Sequence, residues 1–226
     1  DNEDLLKKFF IKSNLSKVKI VRVAVNISDY FYCKKICLFL KRNGYFVGLN
    51  LMQSHDLDKK NYKKISLDIK KWGLVDILYF ADSLGCMNNQ DIKLISRVLV
   101  DNFRGSVGIH AHNNKSLALS NTLTAIEEGV NWFDATITGM GRGAGNTETE
   151  HLSTECNLKK ILKLNSSELI STVDDFNKLK KKYNWGSNIF YHLGSISKIH
   201  PTYIQNILSD KRYNKNEVIS AIQTMK

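Results

Sequence analysis

The fold is decided by a short stretch in the middle of the chain, Val107-Gly108-Ile109-His110-Ala111-His112. The small and apolar residues predict a buried strand, and two histidines follow at its end. Because side chains alternate between the two faces of a strand, His110 and His112 should point to the same side. Two imidazoles on one rigid face form half of a divalent-metal site. We therefore predict that His110 and His112 are metal ligands.

A glycine-rich loop follows the next apolar run, and it covers residues 139–146 with the sequence GMGRGAGN. It ends in Asn146, whose amide oxygen is a hard donor of the kind that divalent cations accept. Asn146 is therefore the third predicted metal ligand. The alternative interpretation is an incidental pair of histidines that leads into a polar loop at Asn113 and Asn114.

Similar apolar runs recur about every 30 residues through the first two thirds of the chain, with helix-like stretches between them. They lack strict alternation, as strands buried on both faces do. The strand-like runs are 18–25, 45–52, 75–81, 107–109 and 132–137. The helix-like stretches between them are 30–43, 61–72, 89–103 and 115–128. This alternation predicts an α/β fold with parallel strands.

Two architectures fit this repeat, a doubly wound sheet and a TIM barrel. Polar side chains follow the predicted strand ends, among them His55, Asp82 and Ser83, and barrel enzymes build their sites at such ends. A closed barrel has eight strands, whereas five are found here. We therefore expect residues 1–150 to be a partial TIM barrel that lacks three units at its front, and 151–226 to be a C-terminal helical extension.

Further helices are expected at both ends of the chain. They are 1–14, 152–164, 167–183, 188–208 around Pro201, and 216–226.

Composition and charge limit the partners of the protein. The formal net charge is +11, but the lysines are scattered and mixed with acidic residues, which predicts solvated helix faces rather than a nucleic-acid groove.

No apolar run approaches the ~18 residues of a membrane span, and the acidic start is unlike a signal peptide. Four unevenly spaced cysteines predict free thiols. We expect a cytoplasmic protein without nucleic-acid or membrane partners.

Several segments resemble one superfamily. They are 107–114 (VGIHAHNN), 125–129 (AIEEG), 134–141 (DATITGMG) and 143–147 (GAGNT). They resemble the metal-dependent aldolases and lyases with TIM barrels, which include hydroxymethylglutaryl-CoA lyase. The glycine-rich stretch looks closest to the 4-hydroxy-2-oxovalerate aldolases, and 82–87 (DSLGCM) and 51–55 (LMQSH) are similar to strand ends of that branch. The resemblance covers roughly residues 18–150 and implies that the five strands are the fourth to eighth of the barrel.

The resemblance implies a divalent-metal-dependent aldolase that acts on a small 2-oxo acid and its aldehyde through a pyruvate enolate. His110 and His112 would bind the metal, with Asn146 as a further ligand, directly or through water. Ser83 would contact the carboxylate end of the substrate. The expected ion is Mn²⁺ or Mg²⁺, and mixed nitrogen and oxygen ligands also suit Zn²⁺ or Co²⁺.

Two other residues, Asp82 and His55, are further predicted substrate contacts because each lies at a predicted strand end. For partners, a homo-oligomer is expected, and an aldehyde dehydrogenase partner is known in relatives.

The chain departs from this superfamily at one motif. Members carry an Arg-Asp-Gly motif at the end of the first strand, which supplies a metal-binding Asp and an enolate-stabilising Arg. No such motif occurs in this sequence. The base and that arginine are therefore expected in a missing N-terminal part, and no catalytic residue is assigned in this chain.

Two alternatives come from other classes of protein. Residues 139–144 fit the G-x-G-x-x-A dinucleotide fingerprint of an oxidoreductase, although no second strand ending in an acidic residue follows ~20 residues later. Residues 147–150 (TETE) instead predict a capping box that starts the next helix. The other alternative is a non-catalytic partial barrel, a binding or assembly module whose exposed strand edge must pair with something.

Overall fold

A computed structural model describes residues 3–163, 166–210 and 212–225. The strands are β1 (Ile20–Asn26), β2 (Phe46–Met52), β3 (Ile77–Asp82), β4 (Ser106–Ala111) and β5 (Trp132–Phe133). The helices are α1 (Glu3–Phe9), α2 (Lys34–Arg42), α3 (Lys59–Trp72), α4 (Asn89–Phe103), α5 (Ala118–Glu127), α6 (Thr149–Leu158), α7 (Ser166–Tyr183), α8 (Ile189–Ile196), α9 (Pro201–Ser209) and α10 (Lys215–Thr224).

The five strands form one sheet in the order β1-β2-β3-β4-β5. β1 pairs with β2 and β2 with β3, both in parallel, and a helix follows each of the first four strands. The predicted α/β fold is confirmed. Because the spatial order follows the chain order without a reversal, the sheet has the order of a barrel wall rather than that of a doubly wound sheet.

Burial rises from the edge of the sheet to its centre. In β1, exposed and half-buried residues alternate, whereas all six residues of β3 are buried. The reason lies in the sequence, since β3 reads ILYFAD and carries apolar side chains on both faces. Gly108 of β4 is needed for close packing, because an added Cβ would lie 2.4 Å from the Tyr79 ring.

The chain divides into two compact units. The first comprises residues 1–81, 90–109 and 125–132, and the second comprises 82–89, 110–124 and 133–226. In the second unit, helices α8, α9 and α10 share an apolar cluster with the glycine-rich loop. Its buried members are Ala144, Tyr191, Ile204, Val218 and Ile222. The predicted division of the chain at residue 150 stays a prediction.

The fifth predicted strand, 132–137, is shorter than expected. β5 ends at Phe133, and Thr136 instead pairs with the returning chain, since its N–H donates to the Thr147 carbonyl at 3.0 Å. Thr138 then adopts a left-handed φ of 51°. The chain therefore leaves the sheet early because it pairs locally with the segment that follows the glycine-rich loop.

Helix bounds also differ from the prediction at several places. The predicted helix over 188–208 is two helices, since Pro201 starts α9 and His200 occupies its N-cap position. At the N-terminus, the described helix ends at Phe9 rather than at residue 14. The predicted helix over 152–164 begins earlier and ends at Leu158. Residues 1, 164 and 226, at the ends of three predicted helices, lie outside the described residues.

The predicted capping box over 147–150 is wrong, although α6 does begin there. Glu148 occupies the N-cap position without a side-chain cap hydrogen bond. The Glu150 carboxylate instead accepts from the Thr138 N–H at 3.0 Å, and the Thr147 hydroxyl lies 3.0 Å from that of Thr122. These side chains tie neighbouring segments together and so are not available to cap the helix.

All four cysteines are free thiols, as predicted. Within the ranges that the structure describes, no helix is both long and apolar enough to cross a membrane.

Candidate metal centre

His110 in β4 and His112 directly after it converge. The Nε2 atoms of His110 and His112 lie 3.2 Å apart, and the two rings are steeply inclined at 77°. The alternation of side chains along the strand places both on one face, as the sequence predicted. Two ligand atoms that bind one ion at right angles, each at ~2.1 Å, lie ~3 Å apart. The observed separation therefore fits two ligands of a single ion.

The other nitrogen of each ring is held by a neighbouring acceptor. His112 Nδ1 lies 2.9 Å from the Ser83 carbonyl oxygen, and His110 Nδ1 lies 2.8 Å from the Asp134 carboxylate. A carbonyl or carboxylate oxygen accepts, so each Nδ1 carries the proton and each Nε2 presents a lone pair. Two lone pairs that face each other at this distance repel unless a cation lies between them. The residues present therefore fit a metal ion.

Electrostatics keep His112 neutral. Burial, and after it the neighbouring His110, lowers the pKa of His112 to about 4. Only the neutral imidazole binds a metal, because the protonated ring has no lone pair to donate. His112 is thus in its ligand form throughout the neutral range.

Asn146 lies beside the histidines because the glycine-rich loop folds back onto β4. Its backbone forms an isolated antiparallel bridge with His112, and the Asn113 N–H donates to the Gly145 carbonyl at 2.9 Å. Gly145 has a φ of 77°, and an added Cβ would lie 2.1 Å from the Gly139 carbonyl. Asn146 Nδ2 donates to the Met140 carbonyl at 3.1 Å. Its Oδ1 is consequently the atom that a cation would use.

Asp82 supports the centre indirectly. Its side chain is fully buried, and its two carboxylate oxygens accept the N–H groups of Cys86 at 2.9 Å and Met87 at 3.2 Å. Asp82 thus holds the turn after β3, which presents the Ser83 carbonyl to His112. The predicted contact of Asp82 with substrate stays a prediction. The predicted contact of Ser83 with substrate stays a prediction.

His55 belongs to the first compact unit, whereas the other predicted site residues belong to the second. Its Nε2 lies 3.1 Å from the Asp56 carboxylate, and its side chain is largely buried. Its role as a substrate contact stays a prediction.

Sequence reasoning missed Asp134, although a signal was available. It directly follows β5, which neighbours the histidine-bearing β4 in the sheet. A carboxylate at that place can accept the outer N–H of a metal-binding histidine, which fixes the ring and raises its basicity.

The donor set is incomplete by itself. Among the described residues, no group of three or more His, Cys, Asp or Glu side chains is arranged to hold an ion. Two imidazoles and one amide oxygen would form only part of a metal site, whose further ligands would come from substrate, water or other protein groups.

The dinucleotide alternative does not fit the loop. In the fingerprint, the glycine loop joins a strand directly to the N-terminus of a helix, where the pyrophosphate binds. Here β5 ends at Phe133, and the glycine-rich loop returns to pair with β4 before α6 begins at Thr149. The loop thus contacts the histidine strand and does not lead into a helix.

Comparisons with known proteins identify the family. Residues 9–181, more than half of the chain, match the HMGL-like family. The chain is 35% identical over 134 residues to 4-hydroxy-2-oxovalerate aldolase of Carboxydothermus hydrogenoformans, covering 59% of this chain and 40% of the relative. It is 33% identical over 136 residues to 4-hydroxy-2-oxovalerate aldolase 4 of Rhodococcus opacus, covering 60% of this chain and 39% of the relative. The matched region is thus well under half of each relative.

Solved structures agree on the fold. The N-terminal domain of a putative aldolase from Bacteroides vulgatus has a TM-score of 0.79 and 28% identity, covering 95% of this chain and 73% of that one. The HMG-CoA lyase of Bacillus subtilis has a TM-score of 0.62 at 16% identity, covering 74% of this chain and 63% of that one. The strand order, the partial barrel and the sequence match over most of its length show that the chain belongs to the HMGL-like family.

Proposed function

We propose that this chain carries the two-histidine part of a divalent-metal site in an aldolase or lyase that cleaves or forms a carbon–carbon bond of a 2-oxo acid. One observation carries the proposal: the two Nε2 atoms lie 3.2 Å apart while both Nδ1 atoms are held by acceptors. The relatives named as 4-hydroxy-2-oxovalerate aldolases support the reaction class.

Each residue has a defined task in this proposal. His110 and His112 would hold the ion together with the Asn146 amide oxygen. Asp134 and the Ser83 carbonyl would fix the two ring orientations, because each accepts the outer N–H of one histidine. When bound, the ion would act as a Lewis acid on the oxygens of the 2-oxo acid.

The choice of ion follows from the ligand types. Imidazole nitrogen with amide oxygen is a mixed donor set that suits Mn²⁺ or Mg²⁺ and tolerates Zn²⁺ or Co²⁺. The homo-oligomer, the aldehyde dehydrogenase partner and the cytoplasmic location belong to the same proposal.

Metal binding by the purified chain is the direct test. We would titrate Mn²⁺ at pH 7.5 and measure the free ion by electron paramagnetic resonance. His112→Ala should weaken binding on the order of 100-fold or more, since loss of outer-shell partners alone costs 10- to 100-fold. His151→Ala is the matched control, because His151 is an exposed histidine on α6 in the same unit.

The titration has two contrary results. If His112→Ala bound Mn²⁺ as tightly as the unsubstituted chain, the histidine pair would not be the metal site. If the unsubstituted chain bound none, the non-catalytic partial barrel would become the better interpretation.

A further inference from the structure

The glycine-rich loop carries one charged side chain, Arg142. Its guanidinium Nη2 lies 3.3 Å from His200 Nε2. Within the described part of the chain, no carboxylate forms an ion pair with Arg142. Arg142 is therefore an exposed positive charge beside a histidine, and in that part of the chain it has no negatively charged acceptor for its N–H groups.

His200 holds Arg142 in a favourable electrostatic setting. It occupies the N-cap position of α9, where its Nδ1 accepts the Thr202 N–H at 3.4 Å, and Pro201 begins the helix. The N-terminus of a helix carries partial positive charge. Burial and the adjacent Arg142 lower the pKa of His200, so the position disfavours further positive charge. Arginine, imidazole and helix N-terminus therefore converge at one place.

The loop connects this group to the candidate metal centre. It carries Arg142 and ends in Asn146, whose backbone pairs with His112.

The carboxylates that flank the glycine-rich loop in the sequence have other partners. Glu148 pairs with Lys180 at 3.4 Å and also with His151. Glu150 accepts the Thr138 N–H at 3.0 Å. Asp134 accepts from His110.

We propose that Arg142 and His200 form a binding site for a second anionic group of the substrate, so that the preferred substrate is a 2-oxo acid with a carboxylate or phosphate at its far end. Arg142 offers the planar donor fork that matches either anion, and His200 orients that fork because its Nε2 accepts from Arg142. The substrate class rests on the proposed function. His200 lies beyond residues 9–181, the part that matches the family. The helical C-terminal region would thus add to the site a residue from outside the family match.

A metal-free experiment tests the anion site by itself. In EDTA, inorganic phosphate is titrated while the ring proton resonance of His200 is followed by NMR. The resonance should shift with phosphate, and Arg142→Gln should raise the apparent Kd about tenfold, since a charge-assisted hydrogen bond is lost. His200→Asn, which keeps a good helix cap, should weaken phosphate binding less, as followed by calorimetry. Lys181→Gln is the control for net charge, because Lys181 is exposed on α7.

A second experiment tests the substrate class with the Mg²⁺-loaded chain. Calorimetry compares pyruvate, which has one anionic group, with 2-oxoglutarate and 3-phosphonopyruvate, which have two. The doubly anionic probes should bind about tenfold more tightly than pyruvate, and in Arg142→Gln the three affinities should converge. Whichever of the two doubly anionic probes binds more tightly identifies carboxylate or phosphate as the natural group.

The outcomes separate this inference from the proposed function. Absence of a phosphate-dependent shift, or an equal shift in Arg142→Gln, overturns the anion site whatever the metal titration shows. Phosphate binding without any metal binding supports the anion site and overturns the proposed function. Equal affinity for all three 2-oxo acids overturns the assignment of the substrate class.

Discussion

Two strand ends in this protein carry histidines, and their surroundings differ. At the end of β4, His110 and His112 direct their Nε2 atoms toward each other while Asp134 and the Ser83 carbonyl hold the outer nitrogens. After β2, the Nε2 of His55 lies 3.1 Å from the Asp56 carboxylate, which accepts from it. A ring nitrogen can bind a metal only when it keeps its lone pair. The partners of the ring, more than the presence of a histidine at a strand end, therefore distinguish the candidate metal centre from a local hydrogen bond.

The largest expected difference is in metal affinity. His110→Ala should weaken Mn²⁺ binding on the order of 100-fold or more, because it removes one of two imidazole ligands. His55→Ala should leave it unchanged, since its Nε2 is already paired. Calorimetry with both variants measures this. A comparable loss in His55→Ala would remove the distinction between the two strand ends.

The stability of the metal-free chain should depend on pH through His112. Its pKa is about 4 in the folded protein, against ~6.5 when unfolded, so the unfolded chain binds more protons between these values. The free energy of unfolding should be highest above pH ~6.5 and fall by up to about 3 kcal/mol as the pH drops to ~4. Urea unfolding in EDTA at several pH values checks this. His112→Gln should flatten the profile, and an equally steep profile in that variant would assign the effect to another group.

A smaller effect is expected at the residue that orients His110. Asp134→Asn keeps the shape of the side chain but removes the charge that accepts the His110 N–H. Mn²⁺ affinity should fall between about 10- and 100-fold, while the melting temperature of the metal-free chain changes little. Asp56→Asn, beside His55, is the matched control. Full affinity in Asp134→Asn would mean that the carboxylate does not tune the ligand.

The smallest effect is expected at Asn146. Asn146→Ala should weaken Mn²⁺ binding by less than about tenfold, because a neutral amide oxygen is a weaker donor than imidazole. The same titration measures it. A loss as large as that of His110→Ala would show that Asn146 positions the loop and the histidines together.

Much of the fold could be predicted from local patterns. Helix α4 spans Asn89–Phe103 as predicted, because its apolar residues recur at helical spacing. The fifth strand was predicted too long, since the apolar run 132–137 gives no sign that Thr136 pairs with Thr147. Backbone pairing across a loop leaves no periodic pattern at either segment.

The same limit applies to the candidate site. His110 and His112 could be found because they are two residues apart on one strand, and the alternation of side chains puts them on one face. Their acceptors are much farther along the chain, Asp134 at 24 positions from His110 and Ser83 at 29 positions from His112. Arg142 and His200 are 58 positions apart. No spacing rule connects such residues.

By itself, the sequence determined the α/β repeat, the parallel sheet and the pair of histidines, because strand and helix periods are local properties of the chain. Only the tertiary structure decided which nitrogen of each histidine faces its neighbour, that Asp82 is buried in its own turn, and that His200 lies against Arg142. These features depend on hydrogen bonds and electrostatic contacts between distant segments, which exist only after the chain has folded.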